Sequence, residues 1–139
     1  MTLPTSKLVE YWYNQQGFFT MKGEKDEFDL LAVQSKGDNT WRYIHCELRV
    51  QSDGLFLKEQ PQEKGHSSTP SFKTERWLQD TFTSFKRRAS REKRVPNAEW
   101  EYHLIYGNGV HQDELDRLTA KGVVIHPLSQ IMKDLKEQI

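Results

Sequence analysis

Residues 41–51 read WRYIHCELRVQ, and this stretch decides the fold class. From residue 44 onward the even positions are apolar: Ile44, Cys46, Leu48 and Val50. The odd positions are polar or ionisable: His45, Glu47, Arg49 and Gln51. A strict two-residue period predicts a β-strand, because successive side chains of a strand point to opposite faces of the sheet. Residues 41–51 are therefore predicted to be a strand with one apolar and one ionisable face.

Helices and further strands are predicted on both sides of this strand. The predicted helices span residues 5–16, 113–121 and 128–139, and a long helix begins near residue 74. The other predicted strands span residues 18–21, 28–34, 100–106 and 123–126. The resulting order is α-β-β-β-α-β-α-β-α. Three consecutive strands followed by β-α-β units predict an α/β fold with a mixed sheet flanked by helices.

The length and composition predict one soluble domain. A chain of 139 residues is long enough to bury a core, so residues 1–139 are expected to form a single domain. The loop 52–72, rich in Gly, Pro, Ser and charge, is predicted to be mobile. A single cysteine, Cys46, excludes an internal disulfide and favours a reducing compartment. Without a secretory or membrane-spanning stretch, a cytoplasmic location is expected.

Basic residues are concentrated in the long helix although the formal net charge is zero. Residues 73–95 carry 8 basic and 3 acidic side chains. The predicted inward stripe of the helix is Trp77, Leu78, Thr81, Phe82, Phe85 and Ala89. On the opposite side, Arg87, Arg91 and Arg94 could follow a phosphate backbone. An ordinary polar helix face, with basic residues favoured near its C-terminus, is the alternative.

Two carboxylates are expected to meet at one edge of the sheet. Asp29 opens the predicted strand 28–34, and Glu47 lies in the next strand. If these strands are neighbours, the pair can bind a hard cation such as Mg²⁺, which prefers oxygen ligands. Arg49 shares the face of Glu47 and could stabilise charge on a phosphate. Alternatively, Asp29 merely starts a strand, and Glu47 with Arg49 lies on a solvated face.

Four short stretches and their order resemble the PD-(D/E)XK nuclease superfamily, which includes restriction enzymes and archaeal Holliday-junction resolvases. The stretches are Leu8-Val9-Glu10, Gly17-Phe18-Phe19, Glu27-Phe28-Asp29 and Cys46-Glu47-Leu48-Arg49-Val50-Gln51. The resemblance is clearest over residues 5–51, and the core order continues to residue 106. It implies a restriction-endonuclease-like αβββαβ core, here followed by additional C-terminal α-β-α elements.

The resemblance also implies the roles of individual residues. Asp29 and Glu47 are expected to bind Mg²⁺ or Mn²⁺, with the Leu48 carbonyl and Glu10 as further metal ligands. Arg49 stands where the family usually has lysine, and it cannot be a general base because arginine stays protonated. Gln51 could position the attacking water instead, or a lysine from elsewhere could reach the site: Lys22, Lys25 or Lys73.

The expected function is that of a divalent-metal-dependent endonuclease acting on DNA. Asp29, Glu47, Arg49 and Gln51 form the predicted catalytic set, and no organic cofactor is expected. The oligomeric state is left undecided between a monomer and a homodimer, because many enzymes that cut both strands act as symmetric pairs. The alternative function is a catalytically inactive nuclease-like domain that binds nucleic acid or a protein partner.

Overall fold

A five-stranded sheet flanked by helices forms the framework in the computed structural model, which describes residues 4–25, 27–50, 74–107 and 111–137. The helices are α1 (Thr5–Gln15), α2 (Thr74–Leu78), α3 (Phe85–Arg94), α4 (Gln112–Ala120) and α5 (Leu128–Glu137). The strands are β1 (Phe19–Lys22), β2 (Leu30–Gly37), β3 (Thr40–Arg49), β4 (Trp100–Tyr106) and β5 (Val124–Pro127). The predicted element order and the α/β class are confirmed.

The sheet is mixed, as predicted, and its spatial order follows the chain from β1 to β5. The first three strands are antiparallel, whereas β4 and β5 are each parallel to the strand before them. A tight turn at Asp38 and Asn39, with φ of 53° and 62°, joins β2 to β3. Short polar side chains tolerate this left-handed conformation, which suits a two-residue hairpin. The hairpin sets the register that pairs Leu30 with Cys46.

Both faces of β3 are covered. The even face joins a core built with α1 and α5, whose buried members include Val9, Tyr13, Ile44, Cys46, Ile105 and Ile131. On the other face a second core contains Phe82, Leu104, Leu118 and Val123. His45 and Glu47 point to this second face and are fully buried. The alternative that Glu47 lies on a solvated face is therefore wrong.

The predicted long helix is interrupted. A π-helical turn, Gln79–Thr83, follows α2, and Ser84 adopts an extended conformation that caps α3 by accepting a hydrogen bond from the Arg87 N–H. A π-turn and an extended residue both break the 3.6-residue period, so the faces of α3 rotate relative to a continuous helix. Phe85, predicted to face inward, is 87% exposed, whereas Arg91, predicted to face outward, is buried. Ala89 is also exposed.

Several predicted features fall on residues outside the described ranges. Residues 51–73, which include Gln51, Lys73 and the predicted mobile loop 52–72, lie outside the described residues. Within the part of the chain that the structure covers, no helix is long and apolar enough to cross a bilayer. Arrangement as one domain over residues 1–139 stays a prediction.

A polar network crosses the core on the α1 side of the sheet. Arg42 donates two hydrogen bonds of 2.8 Å to Glu101, which lies 3.3 Å from His103 Nε2. His103 Nδ1 then faces the Tyr13 hydroxyl at 3.2 Å and His126 Nε2 at 3.1 Å. The Arg42 hydrogen bonds lower the pKa of the Glu101 carboxyl to about 2. Burial, with His126 nearby, lowers the pKa of His103 to about 4.

Acid is expected to destabilise the fold through His103. The pKa of His103 is about 4 in the folded protein and 6.5 in the unfolded chain, so the unfolded state takes up more protons between these values. The stability linked to a neutral His103 is therefore fully present above pH 6.5 and falls as the pH drops towards 4. His103 alone should remove about 2 kcal/mol between pH 7 and pH 5. In urea unfolding, His103→Gln should lose about 2 kcal/mol less free energy of unfolding between pH 7 and pH 5 than the wild type does. Equal losses in the two proteins would contradict this assignment.

Candidate functional site

Asp29 and Glu47 meet where β2 begins and β3 ends. Antiparallel pairing of the two strands, with Leu30 opposite Cys46, brings the residues on either side of this pair together. The Leu48 N–H donates to Asp29 Oδ2 at 2.9 Å, and the Asp29 N–H donates to Glu47 Oε2 at 2.7 Å. The prediction that these two strands are neighbours is confirmed. Asp29 lies one residue before β2 instead of opening it.

Three oxygen atoms surround the guanidinium of Arg49. Its Nη1 donates to the Leu48 carbonyl oxygen at 2.8 Å and to Asp29 Oδ2 at 3.4 Å, and its Nη2 lies 3.7 Å from Glu47 Oε1. These oxygens, from Asp29, Glu47 and Leu48, are called the oxygen triad below. They are the atoms to which the nuclease resemblance assigns a metal ion. In this structure they converge on one cationic group.

The Glu47 carboxylate is fully enclosed and is held on both oxygens. Arg87 donates to Glu47 Oε1 at 3.0 Å and to the Glu27 carbonyl oxygen at 2.7 Å, which anchors α3 over the site. On the other oxygen, His45 Nε2 lies 3.0 Å from Glu47 Oε2. A buried carboxylate without such partners would be very costly. Glu47 is thus ordered before any ligand arrives.

The tautomer of His45 follows from its second neighbour. Arg91 Nη1 lies 2.8 Å from His45 Nδ1, and a guanidinium can only donate hydrogen bonds. Nδ1 must therefore accept, so the proton is on Nε2 and is donated to Glu47. Burial lowers the pKa of His45, which keeps the ring neutral in this arrangement. Arg91 thereby acts on Glu47 through His45.

The three arginines assigned to nucleic acid have different surroundings. Arg91 is enclosed between the Phe82 carbonyl, His45 and the rings of Trp100 and Tyr102. Its predicted place on the solvent side of the helix is wrong, because Arg91 is buried, and its contact with nucleic acid stays a prediction. Arg87 is held by Glu47, and the exposed Arg94 donates to Glu27 at 2.8 Å. Contact of Arg87 and Arg94 with nucleic acid stays a prediction.

Glu10 forms an ion pair with a lysine of its own helix. It lies on α1, where Lys7 Nζ is 3.5 Å from its Oε2, and this oxygen is buried without a hydrogen-bond partner. The ion-pair partner of Glu10 in the described part of the chain is Lys7. The role of Glu10 as a metal ligand stays a prediction.

The two carboxylates of the oxygen triad repel each other. The pKa of Asp29 is raised by burial and by the neighbouring Glu47 charge. Within residues 4–25, 27–50, 74–107 and 111–137, no group of three or more His, Cys, Asp or Glu is arranged to hold a metal ion. The triad instead combines two carboxylates with a peptide carbonyl. Mg²⁺ accepts such a set, because it binds through one or two carboxylates and retains several waters.

Comparisons with known proteins find no match for this chain. No family model, no curated protein and no solved structure is similar to it at the level of a significant match. The function must therefore be inferred from the fold and from the geometry around Glu47.

His45 was missed by the sequence analysis as a member of the site. His45 and Glu47 share the odd face of the strand period, which is a signal that the two side chains are neighbours. No sequence pattern indicated the hydrogen bond between Arg91 and His45. It joins residues 46 positions apart and depends on the rotation of α3 that the π-turn causes.

Replacing Arg91 is expected to disorder His45 and destabilise the fold. In Arg91→Met the His45 Nδ1 atom and the Phe82 carbonyl lose their donor, which should cost about 2 to 3 kcal/mol. Nitrogen chemical shifts of the His45 ring should show the Nε2–H tautomer in both proteins, because Glu47 still accepts from Nε2, and the Nδ1 resonance should shift in the variant, which lacks the Arg91 donor. Arg94→Met removes a partly exposed ion pair on the same helix and should change stability by less than about 1 kcal/mol. Equal effects of the two substitutions would refute the assignment.

Proposed function

We propose that this chain is a nuclease-like domain that hydrolyses DNA phosphodiester bonds with a divalent cation held by Asp29 and Glu47. The observation that carries the proposal is the convergence of the oxygen triad on the Arg49 guanidinium. A position that accepts one cation between two carboxylates and a carbonyl has the donor chemistry that a divalent ion requires.

The fold supports the same proposal. From α1 through three antiparallel strands and the α2–α3 segment to β4, the element order is the αβββαβ order that the resemblance implies. The elements α4, β5 and α5 then correspond to the additional C-terminal elements. The acidic pair lies at one end of the central β2–β3 hairpin, and the Asp29 side chain there is partly exposed.

Each residue of the site has a proposed part in the reaction. Asp29, Glu47 and the Leu48 carbonyl would hold Mg²⁺ or Mn²⁺, which supplies Lewis acidity and a more acidic bound water. His45 and Arg87 hold the two Glu47 oxygens in place, so little reorganisation is needed. The Asp29 side chain is 41% exposed and can meet the attacking water. Arg49 can neutralise charge on the phosphate but cannot remove a proton.

A second candidate function is an inactive nuclease-like domain that binds nucleic acid or a protein partner. The observation in its favour is charge balance, because Arg49 and Arg87 already compensate Asp29 and Glu47. Such a site is stable without a metal ion. Binding to DNA would then weaken with salt and with Arg94→Gln, but not with Asp29→Asn.

Cleavage assays distinguish the two functions. Plasmid, single-stranded and branched DNA would be incubated with the protein in Mg²⁺ or Mn²⁺. Asp29→Asn and Glu47→Gln should each lose at least about 100-fold in rate, because both remove charge that holds the cation. Asp38→Asn is the matched control: it is the same substitution at the opposite end of β2, where the positive φ of 53° suits asparagine, and it should cleave normally.

Two outcomes would contradict the nuclease proposal. Cleavage that survives both Asp29→Asn and Glu47→Gln would come from another site or a contaminant. Absence of cleavage on every DNA form by the folded wild-type protein would favour the inactive binding domain.

A further inference from the structure

We propose that Arg49 is an exchangeable counter-cation: its guanidinium holds the oxygen triad in the free protein, and a nucleic-acid phosphate draws it away so that a divalent ion can bind. This inference rests on the proposed function, since it assumes that the triad is a metal site. It assigns to Arg49 the role of coupling metal binding to substrate binding.

The first step is mutual exclusion. Arg49 nitrogens lie 2.8 Å from the Leu48 carbonyl oxygen, 3.4 Å from Asp29 Oδ2 and 3.7 Å from Glu47 Oε1. An ion bound to the same three oxygens would overlap the guanidinium and would be repelled by its charge. The triad therefore accepts Arg49 or a divalent ion, one at a time.

Charge balance leads to the same exclusion. Asp29 and Glu47 contribute two negative charges, and Arg49 and Arg87 contribute two positive charges within contact distance. His45 is neutral because Arg91 occupies its Nδ1. A divalent ion added to this balanced group would leave an excess of positive charge in a partly buried place. Removal of one arginine reduces this excess from two positive charges to one, which the negative charge of a phosphate compensates.

Arg49 is the arginine that can leave. Its side chain is 36% exposed, and its contacts with the two carboxylates are long. Arg87 is 20% exposed and is held by shorter contacts with Glu47 and the Glu27 carbonyl. Arg91 is enclosed in the core. Arg49 is also the last residue of β3, at the rim of the sheet where its long side chain can turn outward.

A phosphodiester is the group that would draw Arg49 outward. A guanidinium binds two phosphate oxygens at once, which makes phosphate a strong competitor for weakly held carboxylates. When the guanidinium turns to the backbone of a bound strand, the triad gains a net negative charge beside the same phosphate. Metal and nucleic acid would then each increase the affinity for the other by the same factor.

Manganese titrations test this coupling without measuring cleavage. Free Mn²⁺ would be followed by electron paramagnetic resonance with the wild type, Arg49→Gln and Asp29→Asn, each with and without a phosphorothioate DNA duplex that resists hydrolysis. Asp29→Asn with the duplex serves as the blank for Mn²⁺ bound by the DNA itself. We expect the duplex to increase the Mn²⁺ affinity of the wild type by about 10-fold or more.

Removal of the guanidinium should release the site. Arg49→Gln should bind Mn²⁺ about 10-fold more tightly than the wild type in the absence of DNA, and the duplex should add less than about 2-fold. Arg76→Gln, which removes an exposed arginine that pairs with Asp80 instead of the triad, should retain the wild-type affinity and coupling. Arg49→Lys keeps a charge but forms fewer hydrogen bonds, so its Mn²⁺ affinity should lie between those of the wild type and Arg49→Gln. It replaces Arg49→Gln in the experiment if Arg49→Gln does not fold.

The outcomes separate this inference from the proposed function. If the wild type and Arg49→Gln bind Mn²⁺ equally and Asp29→Asn does not, the triad is a metal site but Arg49 does not gate it. If the wild type, Arg49→Gln and Asp29→Asn all fail to bind Mn²⁺ in the presence and absence of DNA, both proposals are wrong.

Discussion

The buried charge of Glu47 is the constraint on which the rest of the site depends. A carboxylate without solvent needs hydrogen-bond donors on both oxygens, since an uncompensated buried charge would oppose folding strongly. The donors come from three places in the chain: the backbone before β2, His45 on the same strand and Arg87 on α3. Glu47 therefore ties the hairpin, the strand and the helix together at the point where the chemistry is proposed.

The interruption between α2 and α3 positions Arg87, which is one of these donors, and Arg91, which contacts His45. Through the π-turn and the extended Ser84, α3 turns Arg87 and Arg91 towards the sheet and leaves Phe85 in solvent. An arginine inside a core needs its donors satisfied, and Arg91 achieves this with His45 and the Phe82 carbonyl while two aromatic rings lie beside its guanidinium. Two arginines of α3 thus contact the buried Glu47 and His45 instead of the solvent.

The resulting site is balanced in charge, and Arg49 is its least constrained member. Lysine at this position would offer a more compact charge with a tunable pKa, whereas arginine stays protonated and can bridge several oxygens. Arg49 therefore provides an internal cation for the oxygen triad. In the proposed function, metal binding requires that this cation leaves the triad.

The sequence by itself determined the element order, the strand period of β3 and the pairing of Asp29 with Glu47, because these follow from local periodicity and from a short hairpin. It did not show that the ionisable face of β3 is buried, since a period of two separates faces without saying what covers them. The tertiary structure alone decided the inward turn of Arg87 and Arg91. A helical wheel assumes a constant 3.6-residue period, and the π-turn and Ser84 break it; the contacts that result join residues 40 and 46 positions apart.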